Sequence, residues 1–356
     1  MRTYFNKIQK KGLFMSNYKS NQTKLAKQKT EEILKLLPPF VTQYIHGREN
    51  RLSGNTTLTY TYKINYFFDY LHANNSYFAK KEIRSITLSD LENLDSVDIE
   101  EFTHFLRMQA NTFDNSNQNS TVEAYLSTLS SFWNYFLKRG FVSKNPIAII
   151  DRGKKKRKKI IRLESDEKTT LLSAVEYGTG LSKRQQLFHE KNKIRDLTII
   201  ELFLDTGIRI SELVGQDISD KNLDQHFFTV YRKGGAFDKI YFSDYMESVL
   251  RDYLMIRENY HPIDGENALF LSREGKRLSV RSIEKMVKKF TTASLSGTNG
   301  KITPHKFRAT FATDLLAATG NIRLVQGKLG HADISATQLY ADISNSQMEE
   351  TRNILH

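Results

Sequence analysis

Cysteine is missing from this chain of 356 residues, which excludes structural disulfides and cysteine-ligated zinc. Long apolar runs are missing as well. No stretch approaches the roughly 18 consecutive apolar residues of a membrane span, and the segment from Met1 to Phe14 lacks the continuous apolar core of an export signal. Acidic charge is in short supply: 40 Asp and Glu face 53 Lys and Arg, leaving a net charge of +13 with no acidic tail to offset it. Such an excess opposes compaction unless a polyanion neutralises it, and with 11% aromatic residues nucleic acid is the natural partner. The plainer alternative is a basic protein kept soluble by its charge. These absences together fit a cytoplasmic protein with no membrane partner.

The length exceeds one typical domain and suggests two. Met15 precedes a polar run and is a second candidate start beside Met1, so residues 1–23 read as an N-terminal extension, disordered if it is present at all. From Lys24 to Leu137 the pattern is helical. The Thr30 to Leu37 run stops at Pro38-Pro39, and Phe40 to Ile45 starts a second helix. Tyr60, Ile64, Phe67, Phe68 and Leu71 form the apolar stripe of a long amphipathic helix. A further helix is expected from Ser96 as N-cap, and a last one runs from Asn119 to a stop at Gly140. The aromatic stripes read as core packing, not base-stacking platforms. Residues 53–61 and 118–127, rich in Asn, Ser and Thr at helix starts, are open to two readings: phosphate contacts from helix N-termini, or caps.

Arg152, Lys154, Lys155, Lys156, Arg157, Lys158 and Lys159 crowd a short stretch that reads as an extended linker neutralising DNA backbone, the alternative being a solvated spacer. The domains expected are thus 24–148, helical and DNA-binding, a basic linker over 149–162, and a second domain over 163–356. Residues 178–193 read as a loop between helices of that second domain, and a further loop starts at Ser294.

The residues that carry chemistry lie in this second part. Thr206-Gly207 interrupts an apolar helical run and is followed by Arg209, an arginine able to reach out of a packed core, though taken alone it reads more readily as a surface residue. Two aromatic and β-branched runs flank Gly234-Gly235 and predict a β-hairpin. Arg232, Lys233 and Lys239 sit on it and cannot be ranked by hairpin logic alone; Lys233 is either a mobile proton donor or an edge-strand lysine. Pro304 suits the first turn of a helix, His305 and Arg308 share one face of it, and the helix N-terminus, imidazole and guanidinium together suit a phosphate. Alone, His-x-x-Arg reads more readily as an incidental surface pair on a partly buried helix. Leu329-Gly330-His331 closes another helix, and Tyr340 follows within a new helix or the loop beyond it. A phenol has a pKa of about 10, so its use as a nucleophile at neutral pH calls for the cations gathered here.

In order, Thr-Gly-Ile-Arg-Ile-Ser-Glu-Leu (206–213), Arg-Lys-Gly-Gly (232–235), His-Lys-Phe-Arg-Ala-Thr-Phe-Ala-Thr (305–313), Leu-Gly-His (329–331) and Thr-Gln-Leu-Tyr (337–340) resemble the signature blocks of the tyrosine site-specific recombinases, the family of phage integrases and Xer proteins. The resemblance implies a mainly α protein with a small β-sheet, an N-terminal helical core-binding bundle and a C-terminal mixed α/β catalytic domain. It implies that Arg209 and Arg308 clamp the scissile phosphate, Lys233 protonates the departing 5′ oxygen, and His305 and His331 position and neutralise the phosphate. Tyr340 becomes the nucleophile of a 3′-phosphotyrosyl bond, and Glu212 orients Arg209 or His305. Ala309 departs from the family pattern, which usually carries a second histidine there. Two arginines and a lysine then do what a metal would otherwise do, so no metal or cofactor is expected. The implied partners are a double-stranded DNA site, a homotetramer built on it by exchange of C-terminal tails, and a division-associated DNA translocase. Within the family the chain looks more like the single-protein Xer recombinases of streptococci and lactococci, which resolve chromosome dimers at a dif-type site. An integrase of a phage or mobile element, a type IB topoisomerase and a non-cutting DNA-binding relative are the alternatives.

Overall fold

The computed structural model describes residues 16–111, 118–152, 161–232, 237–295 and 302–330. The chain divides into two compact units, Met1–Lys156 and Arg157–His356.

The elements formed by the described residues of the first unit are all helices. Helix α1 (Ser16–Leu34) ends short of the proline pair, where Pro38 precedes α2 (Pro39–His46) and Pro39 takes the first turn that tolerates a missing N–H. Helix α3 (Gly54–Asn74) opens on Ser53, whose side chain accepts from the Thr56 amide. The short α4 (Leu88–Leu91) and the longer α5 (Ser96–Asn111) and α6 (Gln118–Leu137) complete the bundle. Ser96 does not cap α5. Asp95 does: its Oδ1 accepts from the amides of Val97 at 2.8 Å and Asp98 at 3.2 Å, while Asp98 Oδ2 takes the Asp95 amide at 3.0 Å. A carboxylate at the helix start accepts two amides and faces the positive end of the dipole, so it displaces the neighbouring hydroxyl.

The aromatic stripe of α3 is core, as the periodicity predicts. Ile64, Phe67, Phe68 and Leu71 are buried, and Phe67 meets Phe102 edge-on at 5.0 Å and Trp133 at 5.7 Å. Tyr44 does the same against Phe132 at 5.2 Å. Edge-to-face pairs satisfy the ring quadrupoles as well as removing area from water. The Ser and Thr hydroxyls at the start of α3 are engaged locally: Thr57 donates to the Ser53 carbonyl, Thr59 to Asn55 and Thr61 to Thr57. Arg152, at the exit of this unit, lies 3.8 Å from Glu123 and donates to Ser127 Oγ at 3.3 Å. Lys154 to Lys159 lie outside the described residues.

The second unit is built on α8 (Lys183–Thr206), which packs against α7 (Ser165–Tyr177), α10 (Asp244–Ile256) and α12 (Pro304–Thr319). Ile199, Ile200, Leu202 and Phe203 on this helix are fully buried. The loop expected over 178–193 is much shorter. Gly178, at φ +70°, closes α7, and α8 is already under way at Lys183. The cause is a capping box: Ser182 Oγ accepts from the Gln185 amide at 3.4 Å, and the Gln185 side chain accepts from the Ser182 amide at 2.9 Å. Residues 296–301, where the later loop was expected, lie outside the described residues.

The expected hairpin is present as β2 (Phe227–Tyr231) and β3 (Phe237–Tyr241), paired antiparallel with Thr229 opposite Lys239 and Tyr231 opposite Phe237. A two-residue strand, β1 (Lys221–Asn222), adds to the other edge of β2. Phe228, Val230 and Ile240 face the core. Two more helices finish the described part, α11 (Val280–Ser294) and α13 (Ile322–Leu329), and the short α9 (Ile210–Val214) follows directly on α8.

Candidate active site

The site begins where α8 stops. Gly207 adopts the left-handed conformation at φ +61° and caps the helix through its amide to the Phe203 carbonyl at 3.0 Å. A Cβ at Gly207 would stand 2.4 Å from Phe311 Cδ1, so glycine is required both by the turn and by the close approach of α12. Arg209 then takes the N-cap position of α9 with extended backbone. Its amide donates to Glu212 Oε2 at 3.0 Å and its guanidinium Nη1 donates to Glu212 Oε1 at 2.8 Å. Glu212 is nearly enclosed while the Arg209 side chain keeps 33% of its surface in solvent, so one carboxylate fixes the root of the arginine and leaves its far face open.

Arg308 comes from α12. Pro304 occupies the first turn after Thr303, as the sequence predicts, and His305 in that turn is exposed. One turn on, Arg308 is buried. Its Nη1 donates to the Gly207 carbonyl and its Nη2 to the Leu329 carbonyl. The two arginines therefore straddle one turn, Arg308 holding the carbonyl of Gly207 and Arg209 standing two residues beyond it. Ala309 is buried in the helix, a position whose small side chain suits the packing there.

The Leu329 carbonyl is shared. It is among the last acceptors of α13, at the negative end of the helix dipole, and it also receives Arg232 Nη1 at 2.6 Å. Arg232 follows β2 directly, and its Nε lies 2.6 Å from Asp238 Oδ2 on β3. Gly330, at φ +58°, closes α13, and a Cβ there would fall 1.5 Å from Arg232 Nη1. Hairpin logic left Arg232 unranked beside Lys233 and Lys239; the structure separates it from Lys239, which lies over the Phe227 ring at 4.1 Å. Its partner is a backbone carbonyl far along the chain, which no sequence pattern announces. Next to it, the Tyr231 phenol is pushed up to about 12 by burial and then by the Asp220 carboxylate, so it stays protonated at neutral pH.

Of the expected set, Arg209, Glu212, Arg308 and His305 are described: Arg209 and Glu212 are hydrogen-bonded to each other, and Arg308 to the carbonyl of Gly207, two residues before Arg209. Lys233, His331 and Tyr340 lie outside the described residues. Their chain neighbours Arg232 and Gly330 are in contact with each other.

The chain matches the phage integrase family over residues 161–347 and the phage integrase SAM-like domain over 36–157. It is 33% identical to the tyrosine recombinase XerS of Streptococcus agalactiae, spanning 90% of this chain and 96% of that protein. With XerS of Lactococcus lactis it shares 31% identity over 92% of this chain and 97% of the relative. The chain belongs to the phage integrase family of tyrosine recombinases, and to its XerS type. Solved structures agree on the fold. XerH bound to a palindromic difH substrate is 22% identical and superposes with a TM-score of 0.60 over 85% of this chain and 81% of that one. The Tn1549 transposon integrase with a circular intermediate DNA is 21% identical, with a TM-score of 0.61 over 87% and 97%. The recombinase is thus an enzyme that cuts and rejoins DNA strands. No described helix of this recombinase is long and apolar enough to cross a membrane.

Proposed function

We propose that this recombinase resolves chromosome dimers at a dif-like site, acting as a DNA-bound homotetramer in the cytoplasm. The observation that carries the site assignment is the pairing of Arg209 and Arg308 about the Gly207 turn, one guanidinium open to solvent and the other anchored to backbone carbonyls. Two forked cations set by fixed partners are preorganised for the extra charge of a five-coordinate phosphorus.

In this reading the Tyr340 phenol gives up its proton to solvent as its oxygen bonds to the scissile phosphorus, and the bond to the 5′ oxygen breaks. Lys233 gives its proton to that leaving oxygen, while His305 and His331 hold the phosphate. The 3′-phosphotyrosyl bond keeps the energy of the phosphodiester, so a 5′ hydroxyl from a partner strand reverses the step without ATP. Arg152 and the basic residues Lys154, Lys155, Lys156, Arg157, Lys158 and Lys159 neutralise backbone between domains 24–148 and 163–356. Support for the dif-like role comes from the similarity to XerS along nearly the whole chain. A division-associated translocase is the expected activator.

The test uses nicked duplexes carrying candidate dif-like sites, incubated with the protein in EDTA and resolved on a denaturing gel. A covalent complex that disappears in Tyr340→Phe supports the assignment. Adducts retained in Tyr340→Phe refute it, and adducts formed only on the ends of a mobile element move the substrate from the chromosome to that element.

A further inference from the structure

We infer that Arg232 is a positioning residue that seats the hairpin bearing Lys233 on the C-terminal end of α13. The inference rests on the reading of Lys233 as part of the catalytic set, and it concerns what holds that residue's chain segment in register with Arg308.

Three observations carry it. First, the Arg232 side chain is only 12% exposed, largely enclosed by the protein. Second, two different elements hold it: Nη1 donates to the Leu329 carbonyl at 2.6 Å, and Nε forms an ion pair with the Asp238 carboxylate across the hairpin at 2.6 Å, without the alignment of a hydrogen bond. A planar guanidinium with both edges engaged is a strut, which an ammonium on a flexible stem is not. Third, the seat is shaped for it. Gly330 has no side chain where one would stand 1.5 Å from Nη1, and Arg308 Nη2 donates to the same Leu329 carbonyl. One acceptor thus relates the residue preceding Lys233, the phosphate-clamping arginine and the residues leading into His331. Displacement of a reacting group by about 1 Å can cost a hundredfold in rate, so such a strut acts on chemistry without touching DNA.

The experiment is a double-mutant cycle on cleavage of a nicked duplex, comparing Arg232→Met, Lys233→Ala and the double variant, with DNA affinity and thermal midpoint measured alongside. Each variant is also run on a duplex with sulfur in place of the bridging 5′ oxygen, a leaving group that needs no proton. Arg232→Met is expected to cleave ten- to a hundredfold more slowly at unchanged affinity and salt slope, and to recover on the sulfur substrate as Lys233→Ala does. The double variant should be no slower than Lys233→Ala alone, and Arg232→Lys should fall between. Should Arg232→Met fail to fold, Asp238→Asn, which frees one edge of the strut, is expected to give a milder loss of the same pattern. Wild-type cleavage by Arg232→Met, or losses that multiply in the double variant, would overturn the inference while leaving Lys233 in place. Wild-type cleavage by Lys233→Ala would instead overturn the reading of the site, and the inference with it.

Discussion

Glu212 holds Arg209 at two points, its Oε2 accepting the arginine's own amide at 3.0 Å and its Oε1 accepting the guanidinium at 2.8 Å. The same carboxylate therefore caps a short helix and aims a cation of the proposed site. Glu212→Gln keeps the shape but loses the charge-assisted bond, worth about 2 kcal/mol. Cleavage should slow by about thirtyfold with little change in DNA affinity, measured as single-turnover adduct formation against a binding titration. Equal losses in rate and affinity would mean that Glu212 serves the fold alone.

Gly207 supplies the turn and the acceptor for Arg308 at once. Gly207→Ala puts a methyl 2.4 Å from Phe311 Cδ1 and forces a side chain into the left-handed region. The backbone term alone is about 1–2 kcal/mol, and the clash adds to it. The expected result is a lower thermal midpoint together with a loss of cleavage greater than the loss of folded protein, because the strained turn displaces one of the two carbonyls that anchor Arg308. A variant with a lower midpoint and full activity per folded molecule would uncouple the two roles.

Asp90 predicts a pH dependence for the helical unit. Burial works to raise its pKa, but hydrogen bonds from Lys81, Tyr77 and Thr87 outweigh burial and hold the carboxyl well below the usual carboxylate range. A folded-state pKa below the unfolded value of about 3.9 gives stability that is present above that value and is lost as pH falls toward the folded one. Asp90→Asn should therefore destabilise this unit by about 1–3 kcal/mol at neutral pH. The gap from wild type should shrink as unfolding is measured below about pH 4. A gap that stays constant with pH would remove the charge from the account.

The basic stretch is testable by salt. Replacing Lys154, Lys155 and Lys156 by Gln should weaken binding alike on specific and unrelated duplexes. The slope of log affinity against log salt should fall by about 0.9 for each phosphate that is no longer neutralised. An unchanged slope would leave the stretch as a solvated spacer.

Local signals were legible. The proline pair at 38–39, the α3 stripe, Pro304 at a first turn, and glycines at 207 and 330 each mark a feature decided within a few residues, and each appears where periodicity and turn chemistry put it. The Ser96 cap and the long loop after Gly178 were misread for equally local reasons, a carboxylate outcompeting a hydroxyl and a Ser-x-x-Gln box starting a helix early. Arg232 was illegible for a different reason. Its carbonyl partner at Leu329 is a backbone atom, identical in every residue, so only the folded chain reveals the pairing.

Arg308 reaches back 101 positions to Gly207 and forward 21 to Leu329, and Arg232 spans 97 to the same carbonyl. Contacts so distant along the chain form late, after loop-closure entropy has been met by the packing of the helices between them. A nascent or half-folded copy of this enzyme therefore carries its arginines without the carbonyls that set them. On the proposed reading of the site, strand-cutting competence arrives only with the finished domain.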